Sequence, residues 1–305
     1  AEMSLVHSRE VSIAWMDEAR SNAARDAWKM ALDKALSLDP DLAIAHSRLA
    51  GWYQGGEHWD FAAAEREAEH ALKLAPRDPI VLGNAALLYT TVGRFDEGIA
   101  IWRDVSRIDP LNVLYLTNLA FSYWYAGRWA ETESTLRKAL QLNPAQNAVR
   151  GALAHVLHEQ GRSDEALREI ETEVDPEYRL RFKSEILADL GRRQEAEAAL
   201  EEYVKAFPPD YARYQRAMVY IKLGLGAEAD SALAQVIEHD SEEYPTSVAD
   251  LYATKGAADE AFRWLDRAAQ QRDSYVTLSW KNIYLLPLRS DPRWKAILKK
   301  AGFPI

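Results

Sequence analysis

Apolar residues recur three and four positions apart along most of this chain, in runs of helical length separated by short polar stretches. Alternate runs end in proline, at Pro40, Pro76, Pro110, Pro144, Pro176 and Pro208, as in Ala-Leu-Ser-Leu-Asp-Pro and Ala-Leu-Gln-Leu-Asn-Pro. Proline has no amide hydrogen and restricts the residue before it, so it closes one helix and can open the next. A glycine series keeps step: Gly93, Gly127, Gly161, Gly191, Gly224 and Gly256, with Gly55-Gly56 ahead of them. Glycine reaches the left-handed backbone conformation needed just past a helix end. The pattern predicts a repeating unit of helix, glycine turn, helix, proline turn.

A third series lies inside the predicted helices. Tyr53, Tyr89, Tyr123, Leu157, Leu187, Tyr220 and Tyr252 are large. Three residues before them stand Ala50, Ala86, Ala120, Ala154, Ser184, Ala217 and Ala249. Five residues after the turn glycines come Gly98, Thr132, Ala166, Ala196, Ala229 and Ala261. Small residues let antiparallel helices approach and large ones fill the space beside them, so these positions are expected to be core.

Taken together the series match the tetratricopeptide pattern of Trp, Leu-Gly, Tyr, Ala, Phe, Ala and Pro at a period of 34 residues. The chain therefore resembles a tetratricopeptide-repeat (TPR) array from about Ala23 to Asp273. It departs from the pattern at the first-helix Trp, where Leu82, Leu116 and Leu180 stand. It also departs at the second-helix aromatic, which is Trp102 but then Leu136, Ile170 and Leu200. The resemblance implies an all-α, right-handed superhelical α-α solenoid of about eight TPR-like helix pairs with a C-terminal capping helix. Residues 1–22 are expected to form an N-terminal helix and turn, 23–273 the repeat array and 274–305 the cap.

Two irregularities carry structural expectations. The unit containing Tyr53 has two extra residues in its internal turn, within Gly55–Asp60. From Gly161 to Gly191 the chain is 30 residues long, against the 34 of the two units before it. A loss of four is close to one helical turn, so the apolar face stays in phase. The expected result is a tightened corner at Asp175-Pro176 and a local change of curvature. At the start, Met3 to Met16 reads as a helix paired with one over Ala24–Leu38. At the end, Ser290 or Asp291 can cap a helix whose first turn holds Pro292 and whose stop is Gly302. Trp294, Ile297 and Leu298 would cover the last repeat. The run Pro287 to Trp294, with its following apolar pair and Gly-Phe-Pro, resembles the C-terminal segment of bacterial proteins in which a TPR region follows a winged-helix regulator, an adenylate-cyclase or a protein kinase domain.

A net charge of −10 argues against a nucleic-acid surface, which needs clustered Lys and Arg. The charge is uneven: Glu159 to Glu202 is strongly acidic, whereas the chain from Lys281 onward is basic. Both read as solvated helix faces or as a basic tail meeting an acidic surface, within one chain or between chains. Absence of cysteine removes disulfides, thiolate metal sites and a cysteine nucleophile. No apolar run approaches the length that spans a membrane. The chain opens Ala-Glu-Met-Ser, without the order of a secretory leader, and reads as a processed or excised piece. Its expected compartment is the cytoplasm, with the periplasm open if an upstream signal or membrane segment has been removed.

His155-Val-Leu-His158-Glu159 puts two histidines on one helix face, but three apart rather than the four of a His-Glu-x-x-His site. Phosphate loops and nucleophile elbows are missing, the nearest approach being Lys222-Leu-Gly-Leu-Gly226. No enzyme, cofactor or metal is expected. The resemblance implies instead that the first helix of each pair lines a concave groove, whose inward residues project to Arg48, Asn84, Asn118, Phe121, Trp124, Tyr125, His155, His158, Arg181, Phe182, Tyr214 and Gln215. It further implies that Asn84 and Asn118, at equivalent sites, could form rungs of an asparagine ladder for an extended peptide, since one amide both donates and accepts. The inward lysine sites of chaperone-binding TPR domains hold Ser47, Gly83, Thr117 and Gly151, so a chaperone C-terminus is not the expected ligand. The expected function is a scaffold gripping a protein or peptide. A regulatory, effector-sensing domain of a larger signalling protein and a homo-oligomerisation module are the alternatives.

Overall fold

A computed structural model describes residues 18–55, 59–146 and 148–304. Helix starts follow capping chemistry. Asp60, Asp78, Asn112, Asp175 and Asp291 each accept a hydrogen bond from a backbone N–H in the first turn of the helix they precede, satisfying a donor that the helix itself leaves open. Helix ends follow the glycine series: Gly93, Gly127, Gly161, Gly191, Gly224 and Gly256 all have positive φ, between 66° and 82°.

Sixteen α-helices result among the described residues. After α1 (Glu18–Leu38) come seven pairs: α2 (Ala43–Tyr53) and α3 (Phe61–Leu74), α4 (Pro79–Thr91) and α5 (Phe95–Ile108), α6 (Val113–Tyr125) and α7 (Trp129–Leu142), α8 (Val149–Glu159) and α9 (Ser163–Ile170), α10 (Pro176–Asp189) and α11 (Arg193–Ala206), α12 (Pro209–Lys222) and α13 (Gly226–Asp240), α14 (Pro245–Thr254) and α15 (Ala258–Gln271). Two 3₁₀ segments, Ser274–Lys281 and Leu286–Leu288, lead to α16 (Pro292–Lys300). Helix α1 already includes Glu18, the first described residue and six before the expected Ala24, because Ser and Asn can cap a helix but do not have to end one. The helix expected over Met3 to Met16 lies outside the described residues.

The all-α helix-pair solenoid expected from the repeat is the fold found. Its small positions are the contact points between helices: Ala86, Ala120, Ala154, Ser184, Ala217 and Ala249 in first helices, and Thr132, Ala166, Ala196 and Ala261 in second helices, are fully buried. Where glycine takes such a place, the space is filled by a neighbour: a Cβ on Gly151 would come within 2.9 Å of Tyr178 Cβ.

The chain divides into two compact units. One ends at Ile108 and includes Gly302–Pro304; there Leu32, Ala45 and Leu49 pack with Trp28 and Trp52, and Phe303 stacks on Phe61. The other runs Asp109–Ala301. One of its cores joins α6 through α10 around Leu136, Leu153, Leu157, Phe182 and Ile186.

The four-residue deletion falls in this second unit and is absorbed in two places. Helix α9 has 8 residues where most second helices have 14. Pro176 serves as the first residue of α10, instead of preceding its helix by a short turn as Pro110 does. Glu173 turns inward at the corner and is buried. Its carboxylate accepts from the backbone N–H of Gly151 at 2.8 Å and of Asp175 at 2.9 Å.

Candidate functional site

The first helices of the second unit share one face, and the chain's own C-terminal segment lies on it. The reversal after α15 is fixed by Asp273. One carboxylate oxygen accepts from Tyr275 N at 2.9 Å and the other from Thr246 N, in α14, at 3.0 Å. Residues 282–289 then contact α14, α10 and α6. Asn282 Nδ2 donates to both oxygens of Asp250 at 2.8 Å. Tyr284 Oη donates to Glu185 at 2.9 Å. Ile283 packs against the core of α6, α8 and α10. Arg289 donates to the backbone carbonyls of Tyr125 in α6 and of Trp280 and Asn282 in its own segment. Beyond it, α16 is tied to α15 by Arg293 with Asp259 and Lys300 with Asp266. The basic tail thus meets carboxylates of its own chain.

Between segment and repeats lies a cavity of about 480 Å³. Eight tyrosines line it. Tyr125, Tyr178, Tyr211 and Tyr214 come from first helices, Tyr203 from α11, Tyr244 from the turn before α14, and Tyr275 and Tyr284 from the C-terminal segment. Burial raises the pKa of Tyr125, Tyr178, Tyr203, Tyr211, Tyr214, Tyr244, Tyr275 and Tyr284, so their hydroxyls stay protonated at neutral pH. Charged groups in the wall are mostly matched. Arg181 Nη1 is 3.0 Å from Glu177, and its guanidinium lies over the rings of Tyr178 and Phe182. Asp240 binds Arg213. Asp250 is pushed up to about 8 by burial, against the opposing pull of Asn282's amide. Burial lowers Lys281 to about 8, and among the described residues its ammonium group has no hydrogen-bond or ion-pair partner.

The residues projected from sequence fall into three groups. Trp124, Tyr125, Arg181, Tyr214 and Gln215 line this cavity. Phe121, His155 and Phe182 extend its aromatic wall into the core: Trp124 Nε1 donates to His155 Nδ1 at 3.1 Å, and the His155 and Phe182 rings are 5.4 Å apart. Burial, and next the Lys222 charge, bring His155 down to about 3, so it is neutral and carries its proton on Nε2. Phe182 is only 1% exposed and Trp124 4%, which makes them packing residues and not an open surface. The third group stands apart. His158 bonds Ser163 Oγ at 2.9 Å and Asp189 at 3.1 Å, so the two histidines have separate partners. Asn118 is half-buried on α6. Arg48 and Asn84 belong to the first unit, where Asn84 Nδ2 donates to Ser47 Oγ at 3.1 Å. Among the described residues no cluster of three or more His, Asp or Glu is placed to hold a metal, and no helix is long and apolar enough to cross a membrane.

Glu185, Asp250, Lys281, Asn282 and Arg289 were not singled out from sequence. A signal for two of them exists in the repeat register. Phe121, His155, Glu185 and Asp250 all stand two residues before the large first-helix position, and the last two put a carboxylate where other units hold an aromatic ring. A charge there needs a partner from elsewhere in the chain, and the segment supplies it.

Two tetratricopeptide-repeat family models match the chain, at residues 123–172 and 183–248. A curated relative, the small glutamine-rich tetratricopeptide repeat-containing protein 2 of Mycosarcoma maydis, is 26% identical over 116 residues, which is 38% of this chain. The match spans 33% of that relative's length. Among solved structures, Pseudomonas aeruginosa PilF superposes with a TM-score of 0.52 at 19% identity, over 77% of this chain and 100% of that one. Yeast Tom70 superposes with a TM-score of 0.55 at 14% identity, over 92% of this chain and 63% of that one. At these identities the likeness is one of fold. The matched stretches carry the same turn glycines, small contact positions and helix pairing as the repeats on either side of them, and the chain is a tetratricopeptide-repeat protein.

Proposed function

We propose that this chain is a protein-interaction scaffold, not an enzyme, and that it holds an extended peptide segment on the first-helix face of its repeats. The observation that carries this reading is the chain's own C-terminal segment. Residues 282–289 are gripped by α6, α10 and α14 through a backbone carbonyl, two carboxylates and an apolar core. A face that binds one segment by such contacts has the chemistry to bind another, since a partner offers the same backbone groups and apolar anchors. On the first unit, Arg48 and Asn84 occupy the corresponding helices, which leaves a second stretch of first-helix surface for a partner. The tail's resemblance to the C-termini of bacterial signalling proteins fits a docking role within a larger assembly.

The test places a photo-crosslinking side chain at Asn118 or Asn84, on first helices, and at Arg263, exposed on the second helix α15. Crosslinks to a defined segment of another protein from the first two sites, and none from Arg263, are the expected result. Crosslinks confined to Arg263 would refute the first-helix reading.

A further inference from the structure

We propose that the tyrosine-lined cavity of the second unit is a binding site for a small aromatic carboxylate that also carries hydroxyl or amino donors. The site goes beyond the scaffold reading and stands whether or not the first-helix face takes a partner.

Size comes first. A volume of about 480 Å³ lies inside the range of about 300–1,000 Å³ typical of small-molecule pockets. The wall chemistry then selects the ligand. Tyrosine rings favour a planar guest, which can stack offset or meet them edge to face. Two polar groups, Lys281 and Asp210, set what the guest must carry. The ammonium of Lys281 faces this cavity without a counter-ion, while the neighbouring Arg181 is already matched by Glu177. The Lys281 side chain is only partly buried, so its ammonium is accessible, and a carboxylate on the ligand would form a charge-assisted hydrogen bond with it. Gln215 is fully buried and its Oε1 accepts no hydrogen bond. Its amide cannot be turned round, because Nε2 is already donating to Arg181 O, Ser184 Oγ and Glu185 Oε1. With no accessible surface, Oε1 is sealed in the wall and does not reach a guest. Asp210, half-buried in the same wall, offers an acceptor for a hydroxyl or amino donor on the guest.

One side of the cavity is the C-terminal segment, through Leu278, Lys281, Ile283 and Tyr284. A guest bound there touches both the repeats and the segment, so occupancy holds the segment on the first-helix face. The same carboxylate that meets Lys281 becomes a stabiliser of the 274–289 stretch.

Isothermal titration of the full chain with 3,4-dihydroxybenzoate tests this, with catechol as the analogue lacking the carboxylate and Lys281→Met as the variant. Binding of the acid is expected, with catechol weaker by about tenfold or more, the factor expected of one charge-assisted hydrogen bond. Lys281→Met is expected to weaken the acid by a similar factor and to leave catechol unchanged. Failure of the acid to bind at millimolar concentration would overturn the proposal. So would equal binding of acid and catechol, or undiminished binding to Lys281→Met.

Discussion

Asp250 stands in the apolar run Val248-Ala249-Asp250-Leu251, is 6% exposed and is held by Asn282. Burial raises its pKa to about 8, above the value of about 3.9 of an unfolded chain. Between those values the folded chain keeps a proton that the unfolded chain has released, so stability from this group falls as pH rises across that window. Asp250→Asn keeps an acceptor for Asn282 and removes the titration. Relative to the unaltered chain it is expected to gain roughly 2–4 kcal/mol of stability between pH 5 and pH 8. Urea unfolding at the two pH values measures this, and a pH-independent difference would refute the assignment. This carboxylate was readable as an oddity in its run, yet its partner was not, because Asn282 lies 32 residues away in a segment with no repeat register.

Helix-pair elements are where sequence spoke most clearly, and glycine shows why one residue type carries two separate meanings. Gly191 closes α10 with φ 67° and has nothing near its Cβ position; Gly151, inside α8, has ordinary helical backbone and meets Tyr178 at 2.9 Å. Gly191→Ala brings only local backbone strain, about 1 kcal/mol. Gly151→Ala forces Tyr178 and α10 to move and is expected to cost about 1–3 kcal/mol or more. Thermal unfolding of the two variants should rank them in that order; the reverse ranking would show that the α8–α10 contact yields easily. The turn glycines were legible from their period. The role of Gly151 was not, because its neighbour comes from the next repeat. The shortened unit was half legible. The missing turn was visible in the spacing, but the inward rotation of Glu173 to bond Gly151 N and Asp175 N depends on where those amides end up.

On the scale of the whole molecule, the placement of residues 274–289 decides what surface a partner or ligand meets. Tyr284→Phe with Arg289→Ala removes the bonds to Glu185 and to the Tyr125 carbonyl without touching the repeats. Amide hydrogen exchange over 282–289 is expected to accelerate by about tenfold or more, with the amides of α8 and α12 unchanged. Uniform acceleration across the second unit would mean that the segment is part of its core, and no acceleration would mean that the Asn282–Asp250 bonds and the buried apolar residues of the segment hold it.

Repeat period, turn positions, contact positions and fold class all follow from interactions between residues close in sequence, copied from unit to unit, so each copy reinforced the reading of the others. The C-terminal segment had no such copies. Its path rests on contacts spanning 32 residues to Asp250, 99 to Glu185 and 164 to Tyr125, and no local pattern encodes pairings at those separations. The same physics divides the projected site residues. A helical register says which side of α6, α10 or α12 a side chain leaves from, and it put Trp124, Arg181, Tyr214 and Gln215 on the side that borders the cavity. Whether that face is open, packed or roofed depends on what folds back over it, and here the roof is the chain's own tail.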